Sequence, residues 1–138
     1  MSERTSLSAI TEDEKLARYI LVRSQIRQNG QTVKPDAFIP HPHSDLSVTR
    51  HLELDESALW RIGQEIADER MPPVTLHGRA DINVMTVTQQ KLQTQPDPTI
   101  NNPNHAIIVG WPNDKPAQKT IAQQLAAEAQ YKAKPDMP

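Results

Sequence analysis

Residues 106–110 read Ala106-Ile107-Ile108-Val109-Gly110, an unbroken apolar run that ends at a glycine. An Asn-Pro pair precedes the run, so turn-forming residues bound it on both sides. A short apolar run between such residues is typical of a β-strand that is buried on both faces of its sheet. The run therefore predicts a central strand, around which the rest of the fold is organised.

A helix is predicted on each side of this strand along the chain. The later one begins at Asp114 or Lys115, where Pro116 suits the first helical turn. The earlier one covers residues 56–69, with Asp55 as its N-cap and apolar residues at three- and four-residue spacing. Both patterns indicate amphipathic helices that bury one face against a sheet.

The N-terminal part of the chain predicts a further helix. Thr11 and Glu14 have the spacing of a capping box, and Asn29-Gly30 is a typical helix end. The cations of this segment are interpreted as a solvated helix face; they are Lys15, Arg18, Arg23 and Arg27. Three other segments are expected to be extended, with one helical turn at 88–91; these segments are 46–49, 74–87 and 92–95.

The resulting element order is α-β-α-β-β-β-α, which predicts an α+β fold. We expect a small, mainly antiparallel sheet with about three helices packed on it, in a single domain over residues 11–133. Residues 1–10 and 134–138 are expected to be disordered tails.

The composition excludes several classes of function. The 138 residues include no cysteine, which excludes disulfides, thiolate zinc sites and cysteine nucleophiles. The chain has only 4 glycines against 12 prolines, and it contains no glycine-rich phosphate loop, so we expect no cofactor. A net charge of −2 argues against a dedicated nucleic-acid binder. No segment has the apolar length of a membrane span or a signal peptide, so a cytoplasmic location is expected.

Three residues are candidates for catalysis. Arg50 and His51 follow a predicted strand, and His105 opens the central one. Arginine binds phosphate through two parallel hydrogen bonds, and histidine titrates near neutral pH, so together they suit phosphate chemistry. His77 and Arg79 occupy a similar place at the start of another strand. The alternative is that the arginines form ion pairs with nearby acids, which are Asp45, Asp81 and Asp97.

His41 and His43 are the candidate metal ligands. In an extended segment, residues two apart place both rings on the same side, and His51 or Asp45 would supply a third ligand. The alternative is that both histidines are simply exposed in a proline-rich loop, which is the commoner outcome for such a pair.

Trp60 and Trp111 are the candidate interaction residues. Trp60 borders the apolar face of its predicted helix, and Trp111 follows a strand end. Tryptophan is enriched at the energetic centre of protein interfaces, so either residue could anchor a partner. The alternative is that each one covers the edge of the protein's own core.

Three short motifs carry a resemblance to a known group of proteins. They are A-F-x-P at residues 37–40, L-S-V-x-R at 46–50 and N-P-x-H-A-x-I at 102–108. Together they resemble a pattern in small uncharacterised bacterial proteins. The resemblance implies a bacterial, cytoplasmic accessory protein, and it carries over no catalytic residue.

Two functions remain open from the sequence. The first is an accessory protein that binds a partner protein or self-associates. The charge argues against nucleic acid as its partner, and no membrane partner is expected. This function is favoured by the modest core, because only 36% of residues are hydrophobic and 4% aromatic, and by the missing catalytic motifs. The alternative is a small hydrolase or phosphate-handling enzyme that uses an Arg/His cluster, and the residues do not decide whether the protein is an enzyme.

Overall fold

A computed structural model describes residues 9–40 and 45–135. These residues form three α-helices, which are α1 (Glu56–Glu69), α2 (Val84–Gln89) and α3 (Lys115–Glu128). They also form six strands, which are β1 (Lys15–Ile20), β2 (Leu46–Arg50), β3 (Gly78–Asn83), β4 (Gln93–Pro96), β5 (His105–Val109) and β6 (Gln130–Ala133). Within these ranges, none of the helices is long and apolar enough to cross a membrane.

The strands form one six-stranded sheet in the order β4-β5-β2-β1-β3-β6, and every neighbouring pair is antiparallel. The predicted α+β fold, an antiparallel sheet with three helices, is therefore confirmed.

The strand from the central apolar run is β5, which lies one position from the sheet edge. Its residues alternate between buried and half-buried, so the expectation of burial on both faces was wrong.

The two long helices begin where their capping residues predict. Asp55 accepts a hydrogen bond from the Ala58 backbone N–H at 2.8 Å, and α1 covers the expected residues. Asp114 accepts one from the Ala117 N–H at 2.9 Å at the start of α3. Both carboxylates satisfy a backbone N–H that has no partner inside its helix, which explains why these boundaries could be predicted locally.

The predicted N-terminal helix is wrong, because residues 15–20 form the strand β1. The side chain of Thr11 bonds Asp13, so no capping box forms, and Glu14 reaches Arg50 on β2 instead. β1 pairs with β3 at six positions and with β2 at two. This pairing with distant strands outweighs the local helical pattern.

Three smaller boundaries also differ from the expectation. The extended stretch expected over 74–87 contains the strand β3, and its last residues begin the helix α2. Of the helical turn expected at 88–91, residues 88 and 89 form the end of α2. The strand β6 was not predicted, because it is only 4 residues long and mostly exposed, and it is held by its pairing with β3.

Helices α1 and α3 pack on opposite faces of the sheet. Leu16 and Ile20 of β1 contact the core that includes Leu125 of α3, whereas Ala17 and Tyr19 contact the core under α1. Alternate residues of a strand point to opposite faces, so the parity of a residue on β1 assigns its side. We call these the α3 face and the α1 face.

Gly63 lets α1 approach the sheet closely. A Cβ atom built at this position would lie 2.5 Å from the ring of Tyr19, so any larger residue would collide with it. The ring is buried, and its hydroxyl donates to the Leu59 carbonyl oxygen on the same helix. Gly63 therefore permits the close packing of α1 against β1.

Candidate functional site

Arg50 is buried within an ion pair and does not share a site with His105. Its guanidinium binds the carboxylate of Glu14 through two hydrogen bonds, one of them at 3.0 Å. Arg50 is the register partner of Leu16, which places it on the α3 face. His105 is the register partner of Thr49 and therefore lies on the α1 face. The sheet separates the two candidate catalytic residues.

His51 belongs to a separate, buried network on the α1 face. Its Nε2 lies 3.1 Å from Asp81, whose carboxylate also accepts from Arg79 Nε at 3.0 Å. Arg79 is fully buried, donates to Glu56 at 2.8 Å, and lies 4.7 Å from the centre of the Trp60 ring. Burial alone would raise the pKa of Asp81, but His51 and Arg79 hold it below its usual range. The network therefore stabilises charges inside the fold.

Neither tryptophan is presented as a free surface anchor. Trp111 is only 6% exposed, and its indole N–H donates to the Ile108 carbonyl oxygen at 3.0 Å. It contributes to the core on the α3 face. Trp60 is half-buried and covers the Arg79 guanidinium, which gains a cation–π interaction from it. Both residues fit the alternative that tryptophan covers the protein's own interior.

The loop before β5 is held in place by its asparagines. Asn102 donates to the Thr49 hydroxyl at 2.9 Å, and Asn104 donates to the carbonyl oxygens of Arg50 and Leu52. His105 Nδ1 lies 2.9 Å from the Asp97 carbonyl oxygen and 3.1 Å from the Asp97 carboxylate. These contacts fix the imidazole of His105 at the edge of the α1 face.

The proposed metal pair, His41 and His43, lies outside the described residues. Within residues 9–40 and 45–135, no three histidine, aspartate or glutamate side chains are grouped closely enough to hold a metal ion. His51, one of the suggested third ligands, is bonded to Asp81.

The structure contains a slot between β1 and β2 that the sequence did not indicate. The two strands pair only at Leu16–Arg50 and Ala17–Thr49, and then separate. Arg18 spans the gap, donating from Nε to the Ala37 carbonyl oxygen at 2.8 Å and from Nη1 to the Ser47 carbonyl oxygen at 3.0 Å. Beside it is a cavity of about 190 Å³, whose lining also includes Arg70 and His105.

The slot carries positive charge without a carboxylate. Neither Arg18 nor Arg70 forms an ion pair within the described part of the chain, and none of the lining residues is acidic. Burial, and then the charge of Arg70, lower the pKa of Arg18 to about 10. Two guanidinium groups that line one cavity and have no ion-pair partner among the described residues favour the entry of an anion, because arginine forms charge-assisted hydrogen bonds with oxyanions.

Sequence reasoning missed Arg18 and Arg70 because it assigned Arg18 to a solvated helix face. One signal was present: within Leu-Ala-Arg-Tyr-Ile (residues 16–20), an arginine interrupts an otherwise apolar run. If residues 15–20 are read as a strand, that arginine lies in the middle of a sheet, where an isolated charge requires a partner. Arg70 carries no such signal, since it follows α1 as an ordinary exposed residue.

The geometry can also be set beside known proteins. Comparison of the chain with protein-family models, curated proteins and solved structures finds no match. The case for function therefore rests on the slot and the surfaces around it.

Proposed function

We propose that the protein binds a small oxyanion, a phosphate or phosphate ester, in the slot between β1 and β2. The single observation that carries this proposal is the position of Arg18, a half-buried guanidinium that is bonded to two neutral carbonyl oxygens and forms no ion pair with another described residue. This retains the phosphate-handling alternative of the sequence analysis, with Arg18 and Arg70 replacing Arg50 and His51 beside His105.

Each lining residue has a distinct role in this proposal. Arg18 supplies charge at the base of the slot, and the exposed Arg70 supplies charge at its mouth. His105 donates from Nδ1 to Asp97, so Nε2 of the neutral ring is free to accept a hydrogen bond from a hydroxyl group of the ligand. A cavity of about 190 Å³ is suited to one tetrahedral anion with a small substituent.

Arg70→Gln is expected to weaken the binding of inorganic phosphate by about tenfold or more, because charge-assisted hydrogen bonds contribute about 1.5–3 kcal/mol. Isothermal titration calorimetry at low ionic strength measures the affinity. The matched control is Arg61→Gln, which removes one positive charge from an exposed residue of α1 outside the slot lining. Its affinity should equal that of the wild type. Absence of saturable phosphate binding to the wild type, or an unchanged affinity in Arg70→Gln, would contradict the proposal.

The second candidate function is association with a partner protein or a second copy. Its supporting observation is the exposure of two large apolar side chains, Ile100 at 99% and Met71 at 92%. Ile100 lines a crevice with Ile62 and Ile66 of α1, and Asn101 contacts Glu69 near the end of this helix. Exposed apolar groups beside a crevice are typical of interaction surfaces.

The double variant Ile100→Ser, Met71→Ser is expected to reduce self-association, because it removes the apolar area that a second copy would cover. Light scattering coupled to size-exclusion chromatography, over a range of protein concentrations, measures the molecular mass. Met85→Ser serves as the control, since Met85 is 46% exposed on α2 and lies outside this crevice. A wild-type protein that stays monomeric at every concentration would exclude the self-association form of this candidate.

A further inference from the structure

A second cation-lined pocket lies at the end of the sheet where β1 ends and β3 begins. Its volume is about 570 Å³, and its charged or aromatic lining residues are Arg23, Arg27, His77 and Tyr131. Tyr131 is the register partner of Ala80, whose side chain belongs to the core on the α3 face. The pocket therefore lies on the α3 face, and it shares no lining residue with the slot, so it is independent of the proposed function.

The charges of this pocket are also uncompensated. No acidic residue lines it, and neither Arg23 nor Arg27 forms an ion pair with another described residue. Burial and then the nearby Arg23 lower the pKa of His77, which favours the neutral form of its imidazole. The lining thus offers two guanidinium groups and a neutral ring to a ligand.

The segment that carries the two arginines is held in a defined conformation. Ile26 and Val33 form an isolated antiparallel bridge, and the Arg27 N–H donates to the Thr32 carbonyl oxygen at 2.9 Å. At the tip, Asn29 Oδ1 accepts from the Gln31 N–H at 2.8 Å, and Gly30 takes a φ of +70°. A backbone fixed in advance reduces the entropy lost when a ligand binds.

The pocket also offers an apolar surface and an aromatic ring. Ile26 and Ala133 contribute aliphatic groups, and Tyr131 donates its hydroxyl hydrogen to the His77 carbonyl oxygen at 3.2 Å, which fixes the phenol ring. A bare phosphate would use the arginines and leave this surface uncovered. A planar group attached to the phosphate would cover it by stacking, which is favourable on aromatic side chains.

We propose that this pocket binds a small ligand in which a phosphate is attached to a planar ring system, with adenosine 5′-monophosphate as the representative probe. Arg23 and Arg27 bind the phosphate oxygens, and Tyr131 packs against the ring system. The pocket volume of about 570 Å³ lies within the range of small-molecule sites, which is roughly 300–1,000 Å³.

Titration of the full-length protein with adenosine 5′-monophosphate tests the proposal, with the affinity from calorimetry and the location from amide NMR shifts. We expect shifts at residues 23–30, 77 and 131, and an affinity at least about tenfold above those of adenosine and inorganic phosphate alone. Arg27→Gln should lower the affinity by about tenfold or more, and Arg61→Gln should leave it unchanged. Because Arg27 is exposed, this variant keeps the fold, which circular dichroism verifies.

Three results would overturn the proposal. The first is the absence of saturable binding at millimolar probe, and the second is an Arg27→Gln affinity equal to that of the wild type. The third is a set of NMR shifts at the slot with none at this pocket.

Tyr131→Leu tests the ring contact: it should bring the affinity for the probe down to that for inorganic phosphate, and an unchanged affinity would refute the stacking. Arg70→Gln should leave the NMR shifts at this pocket unchanged, which separates this site from the slot.

Discussion

Replacing Asp81 with asparagine is expected to lower the free energy of unfolding by about 3–5 kcal/mol, because it removes the buried partner of a buried charge. Asp81 is 6% exposed and receives hydrogen bonds from Arg79, which is fully buried, and contacts His51 at 3.1 Å. Asparagine keeps the shape of the side chain but turns an amide group toward these donors. Urea denaturation followed by circular dichroism measures the change.

Glu56→Gln is the matched control, because Glu56 binds the same guanidinium from an exposed position. Its side chain is 62% exposed, so solvent screens the interaction and we expect a loss of less than about 1 kcal/mol. If the two variants lost equal stability, the buried position of Asp81 would not be the cause of its effect.

The stability difference between the wild type and Asp81→Asn should depend on pH. The pKa of Asp81 is lowered in the folded protein, so the carboxylate stabilises the fold above its unfolded pKa of about 3.9. This contribution is lost as the pH falls through the still lower folded pKa. The difference should therefore shrink as the pH falls below about 4. A difference that stays constant down to pH 2 would contradict this account.

Phe38→Ala is expected to lower the free energy of unfolding by about 3–5 kcal/mol, because it leaves a cavity in the core on the α3 face. Phe38 is fully buried at the end of the short 3-10 helix Pro35–Phe38, and it is the chain's single phenylalanine. It belongs to the larger core cluster, which also contains Leu16, Ile20 and Leu125. Chemical denaturation measures the loss.

Phe38→Leu refills part of the volume, so it should lose clearly less stability than Phe38→Ala. Ile100→Ala removes apolar atoms from a side chain that is 99% exposed, and its effect should stay within about 0.5 kcal/mol. A loss below about 1 kcal/mol in Phe38→Ala would mean that the core closes around the vacancy.

The neighbouring Ala37 carbonyl oxygen accepts from Arg18, so Phe38→Ala should also weaken phosphate binding in the slot.

The helices α1 and α3 were predictable because their signals are local. Asp55 and Asp114 each cap a backbone N–H three residues away, and the apolar spacing that follows needs no distant partner. The strand β1 was not predictable in the same way, because its spacing fits a helix as well as a strand. Its pairing with β3, more than 55 residues later, decided between them.

The candidate site was predictable only in its residue types. An Arg/His cluster was expected, and His105 does line the slot, but the arginines beside it are Arg18 and Arg70. Arg50 has the same side chain as Arg18, but its charge is paired. The carboxylate of Glu14, the residue just before β1, binds its guanidinium. No local pattern distinguishes an arginine with a carboxylate partner from one without.

The sequence by itself determined the α+β class and the residues at which the two long helices begin. Caps and periodicity act within about four residues along the chain, so they can be recognised locally. Only the tertiary structure decided which charges are compensated. It placed Glu14 against Arg50, 36 residues later in the chain, and it left Arg18, Arg70, Arg23 and Arg27 without an ion-pair partner among the described residues. The physical reason is that an ion pair depends on distance in space, and strand pairing sets that distance between residues far apart in the sequence.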